Sequence, residues 1–149
     1  MKKSTKEIRR VAKLIQQKLL NAGVTIQYYE ATSSNSIYMK FDCGLCNSLR
    51  IGDHNGYEHL NYMFKVDVNH DGYRKVEFGK FTQYTYAPTK KQINKLVRHI
   101  LAHRERRILQ YQGEENYKQI MNEQYQQNKN THGFWSNSHF VEKEGQLCF

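Results

Sequence analysis

The chain is short of the features that usually identify a protein. It has three cysteines and one proline in 149 residues. An odd cysteine count suits a reducing compartment better than a disulfide scaffold. The single proline, beside plentiful Lys, Asn, Gln, Ile and Tyr, matches an AT-rich genome and says little about structure. No run approaches the roughly 20 apolar residues of a membrane span. No apolar secretory stretch follows the N-terminal lysines. The expected location is therefore the cytoplasm, with no membrane partner. Walker loops, dinucleotide-binding glycine fingerprints, G-x-S-x-G elbows and RNP-type aromatic motifs are all missing. These absences leave no cofactor to expect.

Acid is scarce in two places. Residues 1–22 hold seven basic side chains against Glu7, and residues 89–112 hold seven against Glu105, each a net +6. The middle, 23–88, is close to neutral, and 113–149 is slightly acidic. Segregated charge builds a local field that draws phosphates or acidic protein surfaces.

Hydrophobic content of 38% with 13% aromatics fits one folded domain, and tyrosine alone contributes eleven residues. Tyrosine can bury its ring and keep its hydroxyl wet, so it suits cores and recognition surfaces. Ile8, Val11, Ala12, Ile15 and Leu19 recur at helical spacing and predict an amphipathic helix over 5–21. Ser4 or Thr5 is placed to cap it and Gly23 to stop it. From Val24 to Tyr86 the apolar period changes to two, with turn residues at 33–35, 53–56, 69–72 and 79. Short connections favour antiparallel neighbours. Pro88-Thr89 ends this region and opens a second helix with an apolar stripe of Ile93, Leu96, Val97, Ile100, Leu101, Ile108 and Tyr111. Gly113 breaks or bends it before a helical continuation to 128.

The expected fold is α+β, a single domain over 1–149. A basic helix (1–22) precedes an antiparallel sheet of five to six strands (24–86), one face covered and one open. A long basic helix with its extension (89–128) and a docked tail (129–149) follow. The tail carries Phe134, Trp135, Phe140, Val141 and Phe149, too much apolar surface to leave in water.

Five groupings invite a chemical reading. The open sheet face would show Tyr29, Tyr38, Lys40, Ser48, Arg50, Lys65, Tyr73 and Lys75. Rings that stack on bases beside cations that hold phosphates suit single-stranded nucleic acid. The basic helices would offer Arg9, Lys13, Lys91, Lys95, Arg98 and Arg106 to a phosphate backbone, although no helix-turn-helix unit is present. Cys43-x2-Cys46 followed by His54 and His59 supplies a four-ligand zinc inventory at unusually short spacing. His99 and His103 lie one helical turn apart but lack the glutamate of a metalloprotease. His54 and Asn69 have a separation like that of ββα-metal nucleases, without the third histidine; Phe78 falls near its place. Each grouping has a plain counterpart: a solvated sheet face, a solubilising surface, turn cysteines, surface histidines and hairpin turns.

The stretch from Ser34-Asn35-Ser36-Ile37-Tyr38 through Ser48-Leu49-Arg50-Ile51-Gly52-Asp53-His54 resembles a module of small phage and prophage proteins of Gram-positive hosts. It covers about a quarter of the chain. The resemblance implies a counter-defence role like that of anti-CRISPR proteins, acting by binding rather than catalysis. The expected partner is then a host effector, a Cas nuclease or its RNA or DNA, met in the host cytoplasm. The alternatives are a stand-alone nucleic-acid-binding module, a metal-dependent nuclease centred on His54 and a cyclic-nucleotide sponge.

Overall fold

The computed structural model describes residues 3–31, 36–54, 57–63, 65–70, 73–78, 82–85, 89–128, 138–143 and 146–147. Side chains are described for 6–31, 36–52, 89–127 and 138–141.

Helix α1 spans Lys3–Asn21 and buries the expected stripe of Ile8, Val11, Ala12, Ile15 and Leu19. Its start puts Ser4 and Thr5 inside the first turn rather than ahead of it. Gly23 closes the helix in a Schellman turn: its N–H donates to Leu20 O (3.0 Å) and that of Val24 to Leu19 O (3.0 Å). The turn needs a left-handed residue, and Gly23 has φ +89°.

Strands β1 (Ile26–Ala31), β2 (Ser36–Phe41), β3 (Ser48–His54) and β4 (Tyr57–Met63) form an antiparallel meander. β7 (Thr82–Thr85) pairs with β4, and the two-residue β8 (His139–Phe140) pairs with β1, giving the order β7-β4-β3-β2-β1-β8. Among the described residues, β5 (Lys65–His70) and β6 (Tyr73–Phe78) pair only with each other, so the described strands of the 24–86 region do not form one sheet. Period-two patterning reveals strands but not which sheet they join. β9 (Glu142–Lys143) and β10 (Gln146–Leu147) make a further short pair.

Alternation sets the faces. Ile26, Ile37, Met39, Phe41, Leu49 and Ile51 point into one core with α1. Helix α2 (Lys90–Gln110) closes that core with Ile93, Leu96, Val97 and Ile100. Thr89 caps α2 through a reciprocal box: Gln92 N–H donates to Thr89 Oγ1 (3.2 Å) and Thr89 N–H to Gln92 Oε1 (2.9 Å). The expected break at Gly113 is a second Schellman turn. The left-handed residue is Gln112 (φ +67°), and Gly113 N–H reaches Ile108 O (2.9 Å). Helix α3 (Glu114–Asn128) follows.

A smaller cluster joins Tyr117 and Met121 of α3 to Cys43 and Leu45 in the turn between β2 and β3. Its centre is Asp42, fully buried. Asp42 Oδ1 accepts from Thr25 N–H (3.0 Å), and Oδ2 accepts from Arg104 Nε (2.7 Å) and from the Tyr117 hydroxyl (2.6 Å). One carboxylate thus ties the sheet to α2 and α3. Tyr125 of α3 meets Phe140 with ring centroids 5.5 Å apart, and Phe140 stands opposite Gln27 on the face away from α1. α3 therefore reaches round to the face expected to be open, at its β1–β8 edge. Phe134, Trp135 and Phe149 lie outside the described residues.

Candidate nucleic-acid interface

The turn after α1 and the C-terminal half of α2 meet at the same end of the sheet. Arg104 Nη2 donates to Gly23 O (3.3 Å), Arg107 Nε donates to Leu45 O (3.0 Å), and Cys46 Sγ contacts Ile100 O at 3.7 Å. Both helices run towards the 42–47 turn, so their N-terminal halves share the opposite end of the helical layer.

Those halves carry most of the exposed cations; Lys13 lies just past the middle of α1, and Arg106 is exposed in the C-terminal half of α2. On α1 the outer stripe reads Lys6, Arg10, Lys13, Gln17; on α2 it reads Lys91, Lys95, Arg98, Ala102. In each case the charge precedes the neutral residue. Neither helix has an acidic residue in its first turn, whereas α3 begins with Glu114 and Glu115. Cations near a helix N-terminus oppose the macrodipole and cost a few tenths of a kcal/mol each, up to about 1. Two helices accept that cost at one end of the molecule, and their fields add.

Not every basic residue of these segments contributes. Arg104 is held on Asp42; burial works against its charge, and the carboxylate outweighs burial and raises its pKa. Arg107 is buried, with its guanidinium over the Tyr111 ring at 5.5 Å. Arg106 is exposed, as expected. Arg9 is exposed but forms an ion pair with Glu30 (Nε–Oε1 2.8 Å), and Arg10 pairs with Glu7 (2.8 Å). Lys13 has no ion-pair partner among the described residues.

The far face of the sheet brings Tyr29, Tyr38, Lys40, Ser48 and Arg50 together. Tyr29 and Tyr38 are cross-strand neighbours, stacked at 6.2 Å and 26°. Arg50, opposite Tyr38 on β3, lies over its ring at 5.7 Å and donates to Ser36 Oγ (3.4 Å). Burial lowers the pKa of Lys40. Lys65, Tyr73 and Lys75 belong to the separate β5–β6 ribbon and do not extend this face.

The zinc inventory does not assemble. Cys43 lies in the smaller cluster and Cys46 in the main core. β3 carries the chain away from them over six residues before His54, roughly 20 Å at strand rise, and His59 pairs with Gly52 in the far half of β3. Ligands of one zinc sit about 2.0–2.3 Å from it. Burial, then the neighbouring Asp42, pushes the Cys43 thiol up to about 11. No group of three or more His, Cys, Asp or Glu side chains that could hold a metal forms among the described residues. The side chains of His54, Asn69 and Phe78 lie outside them.

His99 and His103 are not the surface pair expected of them. His103 is buried, 3.5 Å from Asn47 Nδ2. Burial, then Arg107 and Arg106, lower its pKa to about 4. Burial and Arg106 lower that of His99 too.

Sequence patterning also missed a cleft beside α1. Arg9, Ala12, Lys13 and Gln16 form one wall, at helical spacing; Tyr28 of β1, His139 of β8 and Val141 after it form the other, over a volume of about 320 Å³. Tyr28 donates to Glu30 Oε2 (3.2 Å). Its burial and the Glu30 carboxylate push its pKa up to about 12, so the hydroxyl stays neutral. Nothing in the sequence connects residue 139 to residue 28; only the β1–β8 pairing does.

No family model, curated protein or solved structure matches the chain.

Proposed function

We propose that the chain is a non-enzymatic binding protein that engages a polyanion through the outer faces of α1 and α2. The carrying observation is the shared positive end of the two helices, where Lys6, Lys13, Lys91, Lys95 and Arg98 are exposed and no first-turn acid offsets them. A phosphate backbone fits such an array, because each neutralised phosphate releases counterions and adds affinity without base-specific contacts. The role in view is counter-defence of the anti-CRISPR kind, with the array meeting the guide RNA or target DNA of a host effector in the cytoplasm. The resemblance of the 34–54 stretch supports that role.

Charge reversal tests it. Lys91→Glu, Lys95→Glu and Arg98→Glu together abolish binding to a labelled duplex and inhibition of the effector nuclease, with the fold intact by circular dichroism. Binding and inhibition that survive all three reversals exclude the helical face.

A second reading rests on the Tyr29–Tyr38 stack with Arg50 over Tyr38. Base stacking on aromatic rings contributes about 1–3 kcal/mol per base. Tyr38→Ala then weakens single-strand binding more than duplex binding. Equal loss on both removes this reading.

A further inference from the structure

The cleft between α1, β1 and β8 combines features that the helical face lacks. Its volume of about 320 Å³ lies at the lower end of the range of small-molecule sites, on the order of 300 Å³ upward. Its depth comes from Ala12, the small residue of the wall, which is buried between Arg9 and Lys13. The opposite wall is aromatic: the Tyr28 and His139 rings lie 5.4 Å apart, tilted by 52°. Tyr28 cannot turn away freely, because its hydroxyl is held by Glu30, which also holds Arg9.

The polar groups differ in how far they are committed. Arg9 has its charge matched by Glu30. Lys13 is exposed one helical turn further on. Gln16 is half-buried at the next turn, and an amide both donates and accepts. A cation, an amide and two rings around one small volume match the three parts of a nucleotide: phosphate, base edge and base face. A phosphate alone would leave the rings and the amide unused. An apolar ligand would strand Lys13 and Gln16.

We propose that this cleft binds one nucleoside phosphate, its base against Tyr28 and His139, the base edge on the Gln16 amide and the phosphate on Lys13. The ligand is a free mononucleotide or the phosphorylated end of a strand, which share this chemistry. The inference rests on the polyanion reading only in taking a phosphate as the partner of Lys13.

The test is calorimetric titration of the full chain with AMP, adenosine and inorganic phosphate in turn. AMP is expected to saturate the protein with a Kd below about 1 mM and to bind at least about tenfold more tightly than either fragment. Lys13→Gln and Gln16→Leu each weaken AMP about tenfold, the loss of one hydrogen bond to a ligand, with an unchanged melting temperature. Lys13 is exposed and Gln16 only half-buried, so the melting temperature shows directly whether either change disturbs the fold. A 5′-phosphorylated strand that loses affinity in Gln16→Leu, while its unphosphorylated twin does not, identifies a strand end as the source. Equal behaviour of the two strands beside tight AMP binding identifies the free nucleotide.

Absence of saturation by AMP at 10-fold above that limit overturns the proposal, as does inorganic phosphate binding as tightly as AMP. So does AMP affinity unchanged in both variants. The two readings fail separately. The triple reversal at Lys91, Lys95 and Arg98 leaves AMP binding intact while removing duplex binding. Gln16→Leu weakens AMP binding about tenfold and leaves the duplex affinity and its salt dependence unchanged.

Discussion

Asp42 concentrates more of the fold than any other described side chain. It adopts a left-handed backbone conformation (φ +50°), is fully buried and accepts from Thr25, Arg104 and Tyr117. Asp42→Ala leaves Arg104 without its counter-charge and the Tyr117 hydroxyl without its acceptor, a loss of about 3–5 kcal/mol on chemical denaturation. Asp42→Asn keeps a residue tolerant of positive φ and an acceptor oxygen, so it costs less than the alanine change. Equal costs would mean that the negative charge, which both changes remove, carries the site rather than the acceptor oxygen or the backbone conformation. His103 supplies a pH signature. Its folded pKa of about 4 lies below the unfolded value, so the unfolded chain binds more protons between them. Its stabilising contribution is complete above about pH 6.5 and is lost as pH falls towards 4, on the order of 3 kcal/mol. His99 acts in the same direction. Melting temperatures measured from pH 7 to pH 4 check this, and His103→Gln flattens part of the slope. Arg104 and Arg107 fall at four- and three-residue spacing after Ile100, but as cations they did not read as part of the apolar stripe. Asp42 was not legible, because its partners lie 62 and 75 residues away.

At the scale of elements, local signals carried α1, α2, their ends and the strand alternation. Periodicity and caps act within a few residues of chain, so Gly23 and Thr89 announce helix ends without tertiary help. Gly23→Ala meets no neighbour within 4 Å, so its cost of about 1 kcal/mol, read from the melting transition, is conformational strain alone. Strand partnership is a different matter. β4 bypasses β5 and β6 to pair with β7, and β8 returns from the far end of the chain to β1. Such choices are made by packing across long separations, which period-two patterning does not encode. The cleft inherits that dependence, since half of it is brought by β8. The helix cations were legible as composition, but their division between an outer stripe and the buried Arg104 and Arg107 needed the packing of α2. Neutralising Lys91, Lys95 and Arg98 with glutamine lowers the slope of log affinity against log salt by roughly 2–3. Removing Arg104 instead destabilises the fold, since its partner is the buried Asp42.

The whole molecule carries a net charge of +9, and no described helix is long and apolar enough to cross a membrane. Its charge is polarised: the end of the helical layer where α1 and α2 begin is the more cationic, and towards the other end Arg104 and Arg107 are turned inward while Arg106 stays exposed. That polarity underlies the account of the protein as a polyanion binder, and salt dependence reads it most directly. Fluorescence anisotropy of labelled single- and double-stranded DNA and RNA, at about 50 and 200 mM salt, is the measurement. With about six phosphates neutralised, affinity falls by about a thousandfold between those salts, and the slope shrinks when the α2 cations are removed. No binding at 50 mM, or binding indifferent to salt, would contradict a phosphate-directed face.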